Sequence, residues 1–183
     1  MAREALSVLD GIVLQREVAL GAARRGIGLP LLGPIGRDGL PVPPLDELLS
    51  RVVGLPPGEA RALVDARFPW RAHVEERGGV WYTVAECQAF SLNDVALVGL
   101  AAEPFAEIGL AVKARSSAAL TLFAGYANGS VGYLPTPLAY DQGGYEVDSS
   151  YLYYRLPAAL APACAALAIG GALALVEGLE SIY

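Results

Sequence analysis

The segment DVALVGLAAEPFAEIGLAVKARSSAALTLFAGYANGSVGYLPTPLAYDQGGYEV, residues 94–147, contains the patterns of two strands, one helix and a polar aromatic loop. Residues 94–100 form a short apolar run of the kind found in buried strands. Glu103 follows that run, at the end of the strand where α/β sheets place functional groups. Pro104 is typical of the first turn of a helix, and the two-sided pattern of residues 105–115 predicts that helix.

A second apolar run, residues 120–127, predicts another strand, which gives way to the polar loop of residues 128–137. Two successive strands joined by a helix usually lie parallel and close together in one sheet. The carboxyl ends of both strands then open on the same edge of the sheet. Glu103 and residues 128–133 are therefore expected to be neighbours in space.

The residues before this segment predict helices and one long connection. A short helix is expected at residues 2–9, and a strand with a polar middle at residues 12–20. The many glycines and prolines of residues 21–44 predict an extended, irregular connection, and loops of that length usually cover a site or pack on a partner. Two further helices are expected at residues 46–53 and 59–77.

Residues 80–92 are rich in β-branched and aromatic residues and predict a strand, which the turn at residues 93–94 makes antiparallel to the strand that follows. A small strand is expected near residues 144–148 and a final helix at about residues 162–177. This order predicts an α/β fold with a mixed β-sheet flanked by helices. At 183 residues the chain is short for two domains, so residues 1–183 are expected to form a single domain.

The composition is apolar and acidic. Hydrophobic residues make up 54% and charged residues 17%, which indicates a buried sheet, extensive oligomeric contact or the absence of a partner surface. The formal net charge of −6, without a basic stripe, argues against nucleic-acid binding. Cys87 and Cys164 have no metal-binding spacing, and we interpret them as two buried thiols in a reducing compartment.

The uncharged stretch of residues 156–176 has about the length of a bilayer span. Its many alanines, with two prolines near its start and Gly170-Gly171 in the middle, make it only weakly hydrophobic. A buried helix packed through small residues is therefore the simpler interpretation, with a membrane span or a lipid surface as the alternative. The N-terminus shows no apolar signal sequence, so a cytoplasmic protein is expected.

Four motifs together resemble one enzyme family. They are the turn Glu103-Pro-Phe, the helix of residues 106–115, the loop Ala127-Asn-Gly-Ser-Val-Gly-Tyr-Leu-Pro-Thr and Gly143-Gly-Tyr-Glu-Val. They resemble the later half of the catalytic domain of neutral/alkaline ceramidases and their bacterial relatives, zinc amidohydrolases that act on N-acyl sphingoid bases. The likeness covers roughly residues 80–150, and Ala102 replaces the glycine that commonly precedes the glutamate.

The resemblance implies that Glu103 and Tyr133 are zinc ligands, because the family has a glutamate and a tyrosine at these positions. The family's two histidine ligands and its catalytic serine lie in an earlier half that has no counterpart in this sequence. His73 is the only histidine, and it lies in a predicted helix and cannot replace two ligands. Catalytic zinc needs about three protein ligands and one open position, so the zinc site is expected to be incomplete in this chain.

Simpler interpretations of the same residues stay open. Glu103 by itself is also typical of a carboxylate that stabilises a helix N-terminus. Tyr133 by itself is also typical of a half-buried loop tyrosine. A group of later tyrosines indicates either core and rim packing or a lipid or sugar surface. These tyrosines are Tyr140, Tyr145, Tyr151, Tyr153 and Tyr154.

Two functions are consistent with the sequence. In the first, the chain is an incomplete or degenerate unit of a ceramidase-like zinc amidohydrolase, inactive alone. Its missing half with the histidines is then either supplied by a second polypeptide or lost through a shortened reading frame. In the second, it is a non-catalytic binding or interaction module that has retained the fold. The apolar composition favours the first function and also predicts self-association into a homo-oligomer.

Overall fold

The computed structural model of the chain describes residues 2–13, 17–35, 39–67 and 72–180. Within these residues the chain forms eight helices, a five-stranded mixed sheet and a separate two-stranded parallel sheet, so the predicted α/β class is confirmed. The helices are α1 (Ala2–Asp10), α2 (Leu45–Val53), α3 (Pro57–Arg67), α4 (Ala106–Arg115), α5 (Pro137–Gln142), α6 (Tyr145–Asp148), α7 (Ser150–Tyr153) and α8 (Cys164–Glu180). The strands are β1 (Leu20–Pro30), β2 (Val74–Arg77), β3 (Val80–Leu92), β4 (Val95–Leu100), β5 (Glu103–Pro104), β6 (Leu120–Ala124) and β7 (Tyr133–Leu134).

The main sheet has the strand order β1, β3, β4, β6, and β2 pairs with the first residues of β3. β1, β2 and β4 run antiparallel to β3, whereas β6 runs parallel to β4. The hairpin between β3 and β4 turns at Asn93, whose φ of 53° lies in the left-handed region that asparagine tolerates. The predicted antiparallel and parallel pairings are therefore both confirmed.

Helices α8 and α4 pack on one face of this sheet. Every second residue of the central strands points into that core, as the period of two in a strand requires. α8 lies close to β1 because Gly171 has no side chain, and a Cβ there would stand 2.6 Å from Ile27 Cδ1. Cys87 and Cys164 are free thiols buried in this core, where desolvation raises their pKa values to about 11 and about 12.

None of the helices in the described residues combines the length and apolar character that a membrane crossing requires. The final helix spans Cys164–Glu180, close to the range predicted for it.

The structure corrects two predictions near the N-terminus. A strand was expected at residues 12–20, but only Leu20 belongs to a strand; residues 14–16 lie outside the described part. Residues 21–44 were expected to be an irregular connection, yet their first ten residues belong to β1, which pairs with β3 from Leu20↔Leu92 to Pro30↔Tyr82. Pairing with a strong neighbouring strand has overridden the low strand propensity of a segment rich in glycine and alanine.

The predicted helix at residues 59–77 is also too long. α3 ends at Arg67, Pro69 lies outside the described residues, and residues 74–77 form β2. Gly78 and Gly79 both have positive φ, which allows the tight hairpin turn that folds this segment back on β3.

Near residues 144–148 the structure has the one-turn helix α6 in place of the predicted strand. The backbone N–H of Gly144 donates to Asp148 Oδ2 at 2.7 Å, and such a local bond favours a turn over an extended chain. Pro104 was predicted in the first turn of a helix but lies in β5, and α4 begins at Ala106.

Candidate functional site

The short parallel pair of β5 and β7 holds the two predicted site residues side by side. Glu103 and Tyr133 are direct partners in its register. The N–H of Glu103 donates to the carbonyl of Gly132 at 2.9 Å, and the N–H of Phe105 donates to the carbonyl of Leu134 at 3.1 Å. The expectation that Glu103 and residues 128–133 are neighbours in space is therefore confirmed.

The loop between β6 and β7 wraps closely around the end of β4. The N–H of Tyr126 donates to the carbonyl of Ala102 at 2.8 Å, and the N–H of Val131 donates to the carbonyl of Ala101 at 3.0 Å. Gly125 is required at the closest approach, because a Cβ there would stand 2.8 Å from Pro104 Cδ. These contacts place the side chains of the loop around Glu103.

Glu103 is buried, with 7% of its surface exposed. Its carboxylate accepts hydrogen bonds from the hydroxyl groups of Tyr126 and Tyr133, and these bonds are the main reason why the pKa of each phenol rises to about 12. The ion pairs between described residues do not include Glu103. The site is therefore a buried carboxylate held by two neutral phenols, without a described basic side chain to balance its charge.

Two more tyrosines extend the site. The ring of Tyr145 meets that of Tyr133 edge to face, with centroids 5.9 Å apart, and lies 6.0 Å from the ring of Tyr153. Burial raises the pKa of Tyr145, with smaller contributions from Tyr153 and from Glu103. The phenol of Tyr145 therefore stays protonated at neutral pH.

The remaining members of the tyrosine group have structural positions. Tyr140 is buried, and its hydroxyl donates to the carbonyl of Leu160 at 2.6 Å. Tyr151 packs against the core, and burial raises its pKa. The ring of Tyr154 lies against Gly132, where a Cβ would stand 3.2 Å from it. Core packing is therefore the correct interpretation for part of this group.

The turn at Asn128 connects the loop between β6 and β7 (the site loop) to the main sheet. Asn128 has a φ of 62°, and its side-chain amide donates to Glu86 Oε1 at 2.7 Å. Gln88 donates to the same oxygen at 2.5 Å, and Arg24 lies 3.6 Å from the other oxygen of Glu86. This polar cluster holds the loop in place from the side of β3.

Sequence reasoning did not identify Tyr126 as a site residue. It lies in the turn after β6, and 64% of its surface is exposed. Its φ of 54° is uncommon for a residue with a large side chain. With the backbone in this conformation, the hydroxyl group of the ring reaches the carboxylate of Glu103. No sequence pattern marks such a position, because the contact depends on how the loop reverses over Ala102.

His73 is exposed and lies just before β2, outside any helix, which corrects the prediction that it is helical. In the described residues no three His, Cys, Asp or Glu side chains come together in a way that could hold a metal ion. The donors that do converge are one carboxylate and two phenol oxygens. This set suits a hard or borderline cation, but a tyrosine binds zinc well only after it has lost its proton.

Solved structures of ceramidases are similar to parts of the chain. No family model matches the chain, and no curated protein matches it. Among solved structures the chain is similar to a ceramidase complexed with C2, at 24% identity over 54% of this chain and 15% of that one, with a TM-score of 0.41. It is also similar to the neutral ceramidase from Pseudomonas aeruginosa, at 25% identity over 88% of this chain and 29% of that one, with a TM-score of 0.45. The chain therefore spans less than a third of either ceramidase.

Proposed function

We propose that this chain is one part of a ceramidase-like zinc amidohydrolase and that it contributes Glu103 and Tyr133 to the metal site. The observation that carries the proposal is the burial of the Glu103 carboxylate beside a phenol oxygen, with no described basic side chain as its partner. A buried carboxylate is costly unless a cation or strong hydrogen bonds balance it. A bound metal ion would supply that cation.

The two proposed ligands fit zinc chemically under one condition. Carboxylate oxygens are ordinary zinc ligands, whereas the hydrogen bond to Glu103 raises the pKa of the Tyr133 phenol to about 12. Metal binding by Tyr133 must therefore release its proton, which makes the affinity rise with pH. A zinc ion held by these residues would lower the pKa of a water molecule to about 7, so that the water could lose a proton and become a nucleophile for an amide near neutral pH.

The proposal also explains why this chain alone is expected to be inactive. One carboxylate and one phenolate are fewer than the three protein ligands that a catalytic zinc site needs. His73 is the only histidine of the sequence and lies exposed beside β2. The remaining ligands would then come from a second polypeptide that docks at the edge formed by β5 and β7.

The experiment is a calorimetric titration of the purified chain with zinc, carried out in a His73→Ala background so that no imidazole competes. We expect weak binding that Glu103→Gln abolishes and Tyr133→Phe weakens, because each variant removes one proposed donor. Glu76→Gln, at an exposed position on β2, is the matched control and should leave the binding unchanged. Binding that is indifferent to both Glu103→Gln and Tyr133→Phe would refute the proposed ligands.

A second measurement tests incompleteness. The wild-type chain alone is expected to release no fatty acid from a short-chain ceramide, with or without added zinc, because the other ligands are missing. Stoichiometric zinc in the purified chain together with zinc-dependent amide hydrolysis would contradict that expectation.

One observation favours the second candidate function, a non-catalytic binding module. Both Tyr126 and Tyr133 already donate to Glu103, so the carboxylate has hydrogen-bond partners without any metal. If this module is the function, zinc at millimolar concentration leaves the tyrosine absorbance unchanged. Under the metal-site proposal the same titration produces a phenolate band that Tyr133→Phe removes.

A further inference from the structure

The face of the main sheet opposite α4 and α8 is apolar and exposed. It carries two rows of side chains that cross all four strands in register. The first row is Leu20, Leu92, Val95 and Leu120, and the second is Ala22, Phe90, Leu97 and Leu122. We call these eight residues the open face.

The exposure of the open face is large for so many apolar residues in one patch. Leu20 is 69% exposed, and Phe90 and Leu97 at the centre of the second row are 46% and 43% exposed. Together the eight side chains leave roughly 500 Å² of apolar surface, which is near the upper end of the largest patch on a typical monomer. Patches of this size usually mark an interaction surface.

In the part of the chain that the structure describes, the loop between β6 and β7 covers the sheet at the other end of this face. At Gly99, in the row after Leu97, the site loop lies so close that a Cβ would stand 2.8 Å from Ala127 Cβ. The same row carries the polar residues Arg24 and Gln88. The apolar surface therefore begins where the cover by the site loop ends.

We propose that a second copy of this chain docks on the open face, sheet against sheet. Two such faces together reach roughly 1,000 Å², which is the lower bound of a specific interface. Two sheets can pack face to face about 10 Å apart with their strands nearly aligned, and their side chains then interdigitate. Homodimer interfaces are more apolar than the rest of a protein surface, as the open face is.

The register of the rows makes the open face self-complementary. A twofold axis that runs parallel to the strands between β3 and β4 places Phe90 opposite the partner subunit's Leu97. The same axis places the small Ala22 opposite the partner subunit's Leu122 and Leu20 opposite the partner subunit's Leu120, so that apolar side chains meet along both rows. None of the eight residues is charged, so the open face brings no like charges together when two copies meet, whereas an anionic lipid surface would face the net charge of −6 without a basic residue to attract it.

The test is sedimentation equilibrium of the full chain at about 50 µM, where an interface at the small end of the specific range is populated. We expect a dimer for the wild type and monomers for Phe90→Glu and for Leu97→Lys, because each variant places unpaired charges in the interface. An equal mixture of the two variants is expected to restore the dimer, since the introduced charges then face each other across the twofold axis. Leu138→Glu, at a 64% exposed position on α5, is the matched control and should remain dimeric.

Several results would overturn the proposal. They are a monomeric wild type, a dimer that survives both charged variants, or a dimer that is lost in Leu6→Glu on α1 and kept in Phe90→Glu. Binding of a monomeric wild type to phosphatidylcholine vesicles, abolished by Phe90→Glu, would assign the open face to lipid. If a charged variant unfolds, Phe90→Ala and Leu97→Ala replace it, and each is expected to raise the dimer Kd by about tenfold. Zinc and substrate are absent throughout, so failure here leaves the proposed metal site unaffected.

Discussion

Two phenols hold the buried carboxylate of Glu103 by hydrogen bonds. Hydrogen bonds from Tyr126 and Tyr133 raise the pKa of each hydroxyl from 10 to about 12. The folded state therefore favours the protonated phenols more than the unfolded state does. This contribution to stability is fully present below pH 10 and is lost as the pH rises towards 12.

We predict that Glu103→Gln returns these two phenols towards the ordinary tyrosine pKa of about 10, because a neutral amide does not stabilise the protonated hydroxyl as a carboxylate does. Ultraviolet absorbance of the phenolate, followed between pH 9 and pH 12, measures this change. The two affected phenols contribute two of the nine tyrosines that titrate in the chain. Glu76→Gln is the control and should leave the titration as in the wild type. An unchanged curve for Glu103→Gln would show that the hydroxyl groups do not depend on this carboxylate.

The element α8 depends on small residues where it crosses β1. A Cβ on Gly171 would stand 2.6 Å from Ile27 Cδ1 and 2.9 Å from Ile27 Cγ1, whereas a Cβ on Gly170 meets nothing within 4 Å. Ile27 is buried and β-branched, so it has few alternative rotamers with which to move away. The two adjacent glycines therefore have different roles in the same helix.

Gly171→Ala and Gly170→Ala form a matched pair, because both gain the same helix propensity of up to about 1 kcal/mol. We predict that Gly170→Ala is neutral or stabilising and that Gly171→Ala is less stable than Gly170→Ala by about 1–3 kcal/mol, the cost of overpacking a core. Chemical denaturation of both variants measures the difference in the free energy of unfolding. Equal stabilities would mean that α8 shifts away from β1 without cost.

Local sequence patterns were a good guide to β3, β4, α2 and α4, because each has a clear periodicity or turn signal within its own residues. They failed for β1, whose glycines and alanines favour no strand by themselves. Its strand structure comes from eleven register pairs with β3, residues about 60 positions away. Such pairing is invisible in any local window.

At the scale of the whole molecule, one buried ion pair connects the α2–α3 unit to the segment that leads into α8. Arg155 has a side chain that is 4% exposed, and its Nε donates to Asp65 on α3. A small apolar cluster of Leu49, Ala60, Val64 and Leu152 lies at the same junction. The junction therefore combines a buried apolar cluster with the charge of Arg155, which the carboxylate of Asp65 balances.

We predict that Asp65→Ala lowers the free energy of unfolding by about 1–3 kcal/mol, because it leaves a buried guanidinium without its carboxylate. Glu47→Ala is the matched control, since Glu47 pairs with Arg51 at the surface and such pairs contribute at most about 1 kcal/mol. Denaturant titrations of the two variants give the comparison. Similar losses in both would show that Arg155 finds other partners when Asp65 is removed.

The sequence alone was enough to indicate the α/β class, most of the elements in residues 80–124, the final helix and the nearness of Glu103 to Tyr133. These features follow from periodicity, turn residues and the rule that strands joined by a helix lie parallel, all of which act over short distances along the chain. The tertiary structure was needed for β1 and for the approach of Tyr126 to Glu103. It was also needed for the open face. Exposure and long-range strand pairing depend on contacts between segments that are distant in sequence, and the residues of one segment do not specify which other segments it will contact.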